Sequence, residues 1–521
     1  MIVYQALSTY QILECIEHKK HYHCNEEAIL ILGTYIVEKF PNYKKIAEYE
    51  FFDNVYLFNF GGVQPVENKV IETMGQRLKE TLPFEISEAD KIYIAGIHTY
   101  LSVYLIEHNI KFSMFEDGSG ALSRPWVLAE ITKKSNPAKF ELINKYGLYN
   151  HTSELIMEKW CNQRTQLKEF EDEKLKHFDI TDEFCRLEES DKQHILEFFG
   201  VSEKISVSEN SVLVLTQQFS NLGQLSFEEH VEIYQYLFDF YLNNINEEII
   251  LKLHPDDILY YKKLFPNVRI VRELFPSELL PYVFKHIPHK IVTISSTGIH
   301  LIRDKFKEHI EFNPLYEKTF VNDPTYYVTV ELLKYINIAT VNCWGVNQIQ
   351  FHNMIQCNTR ASDLHMTICE ENGILGEVLV IDDFNENNHL LEYCPQNYDA
   401  VIYLNSEKKY KMFEMAGKGI FEKLIPLEIT IDSNVDKSII SKRSFVIWVQ
   451  PIKDEVENMI KDYEFAKEMI NTGATLKVKS FSGEELEIMR LKGLLEATER
   501  RLLDYIEREK QLERELEELR R

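Results

Sequence analysis

The chain has no Cys-x-x-Cys pair and no His/Cys cluster at zinc spacing, although it contains eight cysteines, scattered from Cys15 to Cys394. That distribution excludes a zinc ribbon and a dense disulfide framework, and it implies reduced thiols in a cytosolic protein. No apolar run approaches the roughly 18 residues that a membrane-spanning helix requires. The opening "MIVYQALSTYQ" lacks the basic segment and long apolar stretch of a secretory leader, so secretion is not expected. A basic excess is also missing. The formal charge is −25, which disfavours nucleic acid or an anionic membrane surface as the main partner.

What is present is length and rhythm. At 521 residues, 45% of them hydrophobic, the chain can bury more than one core. Short β-prone runs alternate with helical patterns from the first residue: "MIVYQA", "YQILECIEHKK", "AILILG", "VYLFNFGG", "KIYIAG", "YLSVYLIEHN" and "IKFSMFEDG". A charged stretch, "KLKHFDITDEFCRLEESDKQHILEFFG", leads to a second series containing "SVLVLTQQFS", a helix through "EEHVEIYQYLFDFYLNN", "EEIILKLHPDD", "NVRIVREL" and "HKIVTISSTG". This is the rhythm of βα units on parallel sheets. The expected fold is α/β, with two doubly wound Rossmann-like domains facing each other across a cleft. The expected boundaries are 1–180 for the first domain and 181–330 for the second. Residues 331–480 read as a smaller α/β region of unassigned role, and 481–521 as a terminal coiled-coil helix. In that helix Ile488, Leu491, Leu495, Leu502, Tyr505, Leu512, Leu516 and Leu519 take a and d heptad positions, with Thr498 and Glu509 as defects. Self-association is the simplest use of such a seam, with packing back on the same chain as the alternative.

Three short motifs stand at strand ends, where open α/β sheets bind ligands. Glu116-Asp117-Gly118 places two carboxylates after an apolar strand, which is costly unless the acids are used. Taken alone, it reads as a cap or turn. His254-Pro255 follows "EEIILKL", and alone it reads as a turn. Ser295, Ser296 and Thr297 precede Gly298 and the helix-like "IHLIRDKF"; there the unpaired amides of a helix start would hold a phosphate, although an ordinary N-cap has the same appearance. Asp382 and Asp383 in "VLVIDDFN" read as a strand-end turn rather than a metal site, and Asp256 and Asp257 as a helix start.

In this order, the trio resembles the D/E-D/E-G, HP and S-S/T motifs of bacterial sialyltransferases of GT-B architecture, a resemblance covering roughly residues 1 to 320. It implies transfer of a sialic acid from CMP-sialic acid to a glycan hydroxyl, with inversion and without a metal. By the same resemblance, Asp117 is the general base and Glu116 its tuner. His254 supplies a proton or hydrogen bond to the departing phosphate, and Ser295, Ser296, Thr297, Pro255, Gly118 and Glu278 hold CMP. The loop Gln5 to Gln11, with Ser8, Thr9 and Gln11, lines the acceptor side. The product would belong to a surface polysaccharide or lipooligosaccharide. The implied location is cytoplasmic, with peripheral association at the inner face of the plasma membrane as a variant. CMP-Kdo or another CMP-nonulosonate is the nearest alternative donor. A CDP-glycerol glycerophosphotransferase is more distant, because those enzymes carry an acidic residue shortly before their serines, where "VTISST" is neutral. A non-catalytic coiled-coil scaffold is the reading from a different class.

Overall fold

A computed structural model describes residues 1–116, 118, 125–162, 172–242, 248–271, 273–312, 323–335, 338, 340–357, 365–368, 377–382, 400–405, 423–432, 441–449, 474–477 and 481–498. The first sheet is built from β1 (Ile2–Ala6), β2 (Ala28–Gly33), β3 (Asn54–Phe58), β4 (Lys91–Ala95), β5 (Phe112–Phe115), β6 (Ile156–Cys161) and β7 (Leu175–His177). Its order is β3-β2-β1-β4-β5-β6-β7, and every pairing is parallel. The runs "IVYQA" and "AILILG" are apolar at nearly every position because both faces of these strands are covered.

The second sheet contains β8 (Val212–Leu215), β9 (Ile249–Lys252), β10 (Arg269–Val271), β11 (Lys290–Ile294) and β12 (Glu308–Phe312), in the order β10-β9-β8-β11-β12 and again all parallel. Side chains alternate across a strand, and here the alternation divides the core. Leu213, Leu215 and Ile291 join an apolar cluster shared with the first domain. Val212, Val214, Val292 and Ile294 join another, shared with the third region. The middle domain is therefore held on both faces.

The third region adds β13 (Thr340–Trp344), β14 (His365–Ile368), β15 (Val378–Asp382), β16 (Ala400–Asn405), β17 (Lys423–Asp432), β18 (Ser441–Val449) and β19 (Ala474–Lys477). The order is β14-β13-β15-β16-β18-β17-β19, with β18 antiparallel to both of its neighbours. Lys290, buried at the start of β11, donates to the Gln356 carbonyl at 2.5 Å and fastens this region to the middle domain.

Several expectations are modified. The charged stretch after residue 173 is more than a connector: it supplies edge strand β7 and the helices Ile180–Arg186 and Glu189–Phe198, whose Phe184, Ile195 and Phe198 are buried. The helix Phe227–Tyr236 opens with a Ser226/Glu229 capping box and widens into a π turn over Leu237–Tyr241. The segment "IHLIRDKF" forms no α-helix; it makes two short 3₁₀ turns, Thr297–Ile299 and Arg303–Lys305. Ile299 and Ile302 are both fully buried in the core. Asp382 closes β15 as a buried acceptor for the Tyr326 hydroxyl at 3.1 Å, whereas Asp383 lies outside the described residues. Among the described residues, no helix is long and apolar enough to cross a membrane.

Burial of His230, which has no exposed surface, lowers its pKa to about 3. In the unfolded chain it protonates near the ordinary value of about 6.5. Between these values the unfolded state binds the extra proton, so stability is lost as pH falls through that window, by about 1.4 kcal/mol per unit from this group alone. Thermal unfolding followed from pH 7 to pH 5 is expected to show a shallower decline in His230→Phe than in the parent chain. Parallel curves would contradict the assignment.

Candidate active site

The strand order reverses between β1 and β4 in the first sheet and between β8 and β11 in the second, and the crevice outside such switch points is where doubly wound sheets take ligands. Here both crevices open on one cavity of about 480 Å³. The first domain contributes Leu7 to Tyr10 after β1, Tyr35 and Ile36 after β2, and Gly118 after β5. The second contributes Leu215 to Gln217, Lys252 to Asp256, Leu274 to Glu278, and Ser296 to Gly298.

Ser8, Thr9, Gly118, His254, Pro255, Glu278, Ser296 and Thr297 thus lie around one cavity, although they are spread over nearly 300 residues of sequence. Asp117 lies outside the described residues. Gln11, Glu116 and Ser295 are placed beside the cavity rather than on its wall. Gln11 is buried and accepts the Leu7 amide at 2.7 Å, while Ser8 accepts the Gln11 amide at 3.2 Å, a reciprocal cap that fixes the first-domain loop. The Glu116 carboxylate is buried and accepts the Asn162 amide at 2.9 Å. The Asn162 side chain in turn donates to Asp179 at 2.8 Å, and Asp179 caps the helix Ile180–Arg186. Glu116 therefore ties the end of β5 to β6 and to that helix.

The histidine is fixed by its own turn. Its amide donates to Thr216 Oγ1 at 3.0 Å, and the Asp256 amide donates to its Nδ1 at 3.1 Å. With Nδ1 accepting, a neutral ring is assigned its proton on Nε2, the orientation a proton donor needs, and the Gln218 side-chain nitrogen lies 3.5 Å from that atom. Asp257 does not begin a helix: it accepts the Leu259 amide at 3.1 Å and the Tyr261 hydroxyl at 2.7 Å, closing a turn ahead of the helical turn Tyr261–Leu264. The carboxyl of Glu278, nearly enclosed beside the same cavity, is pushed up to about 7 by burial, with Asp179 adding to the rise.

Ser295 adopts φ +55°, a left-handed conformation that costs a non-glycine residue about 1–2 kcal/mol. Its amide donates to the Phe312 carbonyl at 2.8 Å, and the reversal turns Ser296 to Gly298 onto the cavity wall. Strain retained at such a position points to use. The expected helix-start amides are replaced here by the 3₁₀ turn Thr297–Ile299. A Cβ on Gly298 would stand 2.7 Å from Ser277 Oγ and 2.9 Å from Ser277 Cβ, so this turn and the loop carrying Glu278 require glycine to touch.

Sequence reasoning did not single out Lys252, Thr216, Gln217 or Tyr10. Lys252 stands two residues before His254, a spacing that shares one strand face and could have drawn attention to it. Its ammonium is buried, donates to the Glu273 carbonyl at 3.2 Å and sits 4.5 Å from the centre of the Phe275 ring. The Tyr10 phenol is raised well above its ordinary range by burial and then by the carboxylates of Glu14, Glu116 and Glu278, so it remains a neutral donor. Among the described residues, no group of three or more His, Cys, Asp or Glu is placed to hold a metal ion.

The sequence profile described as alpha-2,8-polysialyltransferase matches residues 16–303. An uncharacterised protein of Haemophilus influenzae is 27% identical over 190 residues, which is 36% of this chain; the chain spans about 58% of the length of that relative. Among solved structures, an α/β-galactoside α-2,3-sialyltransferase of Photobacterium phosphoreum is similar over 70% of this chain and 97% of its own, at 13% identity and a TM-score of 0.40. CalG4, a calicheamicin glycosyltransferase, is similar over 70% of this chain and 94% of its own, at 10% identity and a TM-score of 0.35.

The contact at Gly298 generates a prediction. Gly298→Val should drive the Ser277–Glu278 loop away and weaken CMP binding by about tenfold or more, with the unfolding temperature little changed, since the change is confined to a cavity wall. Calorimetric titration with CMP measures it. Unaltered affinity would show that the two loops do not form one nucleotide pocket.

Proposed function

The chain belongs to the alpha-2,8-polysialyltransferase family, and on that premise we propose that it transfers a sialic acid from CMP-sialic acid to a hydroxyl of a glycan acceptor, with inversion at the anomeric carbon. The observation that carries this reading is the convergence of His254, Ser296, Thr297 and Glu278 on one cavity, with the Asp256 amide donating to His254 Nδ1.

The roles follow from the chemistry. As the bond from the anomeric carbon to the CMP phosphate breaks, the phosphate oxygen gains negative charge, and donors aimed at it lower the barrier. His254 supplies the proton or hydrogen bond. Ser296 and Thr297 hold the same phosphate, and Glu278 lies where the nucleoside would rest. The acceptor hydroxyl must lose a proton on the opposite side of the sugar, the task assigned to Asp117. Glu116, tied to Asn162, anchors the segment that presents this base. The first-domain loop Ser8 to Tyr10 faces the acceptor, and the product is a bacterial surface glycan made at the cytoplasmic side of the membrane.

A donor panel separates the alternatives. Purified protein should release CMP from CMP-sialic acid in the presence of a chelator, and more slowly or not at all from CMP-Kdo and CDP-glycerol. CMP release from CDP-glycerol alone would move the chain to the glycerophosphotransferases, and a requirement for added magnesium or manganese would overturn the metal-independent mechanism. Release from none of the three would favour the inert scaffold. Asp117→Asn should retain CMP binding and lose about 10²- to 10⁴-fold in transfer, the usual range for removing a general base. Near-normal transfer by that variant would remove Asp117 from the role.

A further inference from the structure

The helix Tyr100–Glu107 starts at the switch-point crevice of the first sheet, just past β4. Thr99 has the extended backbone of an N-cap, yet its side chain caps no amide, whereas Ser8, Asn136, Asp179 and Ser226 each cap the helix they precede. The first amides of a helix lack intrahelical partners, so this end presents N–H donors and the positive pole of the helix. Around it, Thr99 Oγ1, Ser102 Oγ and both ring nitrogens of His98 are enclosed without a hydrogen-bond partner among the described residues, and Ser102 is wholly buried. Enclosed polar atoms left unpaired destabilise a fold, and their gathering at one helix start points to a bound group that pairs them.

Position links this cluster to the reaction. β4 lies between β1 and β5, with Ile94 beside Gln5 and Ala95 beside Phe115. The segments that follow those two neighbours, Leu7 to Tyr10 and Gly118, line the cavity. Gly96, at φ +95°, brings the loop after β4 against the first of them: a Cβ there would stand 2.7 Å from Leu7 Cδ1. The His98 ring stacks on Tyr149 at 5.0 Å and is met edge-on by His151 at 5.8 Å. Burial, with the charge of Lys139, lowers the His98 pKa to about 4, so at neutral pH the ring is uncharged and carries one N–H. The Lys139 ammonium stands 5.8 Å from the centre of the Tyr100 ring, in the first turn of the helix. Helix amides, two hydroxyls, an imidazole N–H and one nearby cation suit a single negative charge.

We propose that His98, Thr99, Ser102 and the start of this helix bind a sugar carboxylate. The proposal rests on the sialic acid transfer argued above. There the phosphate is assigned to the second domain, and the anionic group left over is the carboxylate that a sialic acid carries on its anomeric carbon. That group arrives with the donor sugar or at the end of an acidic acceptor, and the chemistry that recognises it is the same.

Titration of the full chain with N-acetylneuraminic acid and with its methyl ester, in the presence of CMP and followed by ligand NMR, tests the site without turnover. The parent should bind the acid about tenfold more tightly than the ester, the effect of one or two charge-assisted hydrogen bonds. Thr99→Val combined with Ser102→Ala should abolish that preference, with CMP affinity unchanged and no fall in unfolding temperature, because neither hydroxyl has a partner to lose. His98→Phe, which keeps a ring against Tyr149, should weaken binding of the acid and leave that of the ester unchanged. In turnover, a raised KM for CMP-sialic acid in the double variant assigns the carboxylate to the donor, and a raised KM for an acidic but not a neutral acceptor assigns it to the acceptor. Equal affinity of the parent for acid and ester, a preference that survives the double variant, or a double variant with all of these KM values unchanged would each overturn the site. A chain that keeps the preference but releases no CMP from CMP-sialic acid would leave the carboxylate site standing and overturn the transfer reading instead.

Discussion

The structure depends on the two-sided burial of the middle sheet. Successive residues of β8 and β11 enter different cores, Leu213 and Leu215 on the side of the first domain, Val212 and Val214 on that of the third region. A sheet held on both faces cannot slip by one residue without exchanging its two apolar sets. This fixes where β8, β9 and β11 end, and so where Thr216, His254 and Ser296 meet the cavity. The left-handed turn at Ser295 and the glycine contact at Gly298 are local adjustments made possible by that rigid frame.

The central strands of both Rossmann-like domains were legible because they are continuous apolar runs, and the order of the three motifs pointed to a cleft between the domains. The edges were harder to read. β7 is three residues with little burial, and β12, "EHIEF", carries two acids and a histidine; neither has the apolar density that marks a central strand. The expected helix after Thr297 is replaced by two short 3₁₀ turns, with Ile299 and Ile302 buried in one core. In the cavity, the histidine and the second serine were legible from their motifs. Lys252 was hidden because a lysine inside "IILKL" reads as an edge residue until its partners, the Glu273 carbonyl and the Phe275 ring, are placed beside it.

To hold the proposed nucleotide phosphate, a chain of charge −25 must overcome its own field locally. The cavity does so with few charges. Lys252 lies on its wall, the His254 ring can donate, and burial raises the Glu278 carboxyl to about 7, so that near neutral pH it adds only part of a negative charge. Polar donors fixed in an enclosed site are worth more to a developing anion than the same groups in water.

The central claim is that loops from three strand ends of the middle domain, together with the Glu278 loop, form one CMP pocket. Amide hydrogen exchange of the full chain, with and without CMP, tests it directly. The account predicts slowed exchange in four separate segments, around Thr216–Gln217, His254–Asp256, Phe275–Glu278 and Ser296–Gly298, with the strands of the third region unaffected. Protection confined to one of these segments, or appearing at the ends of β13 and β15 instead, would contradict it.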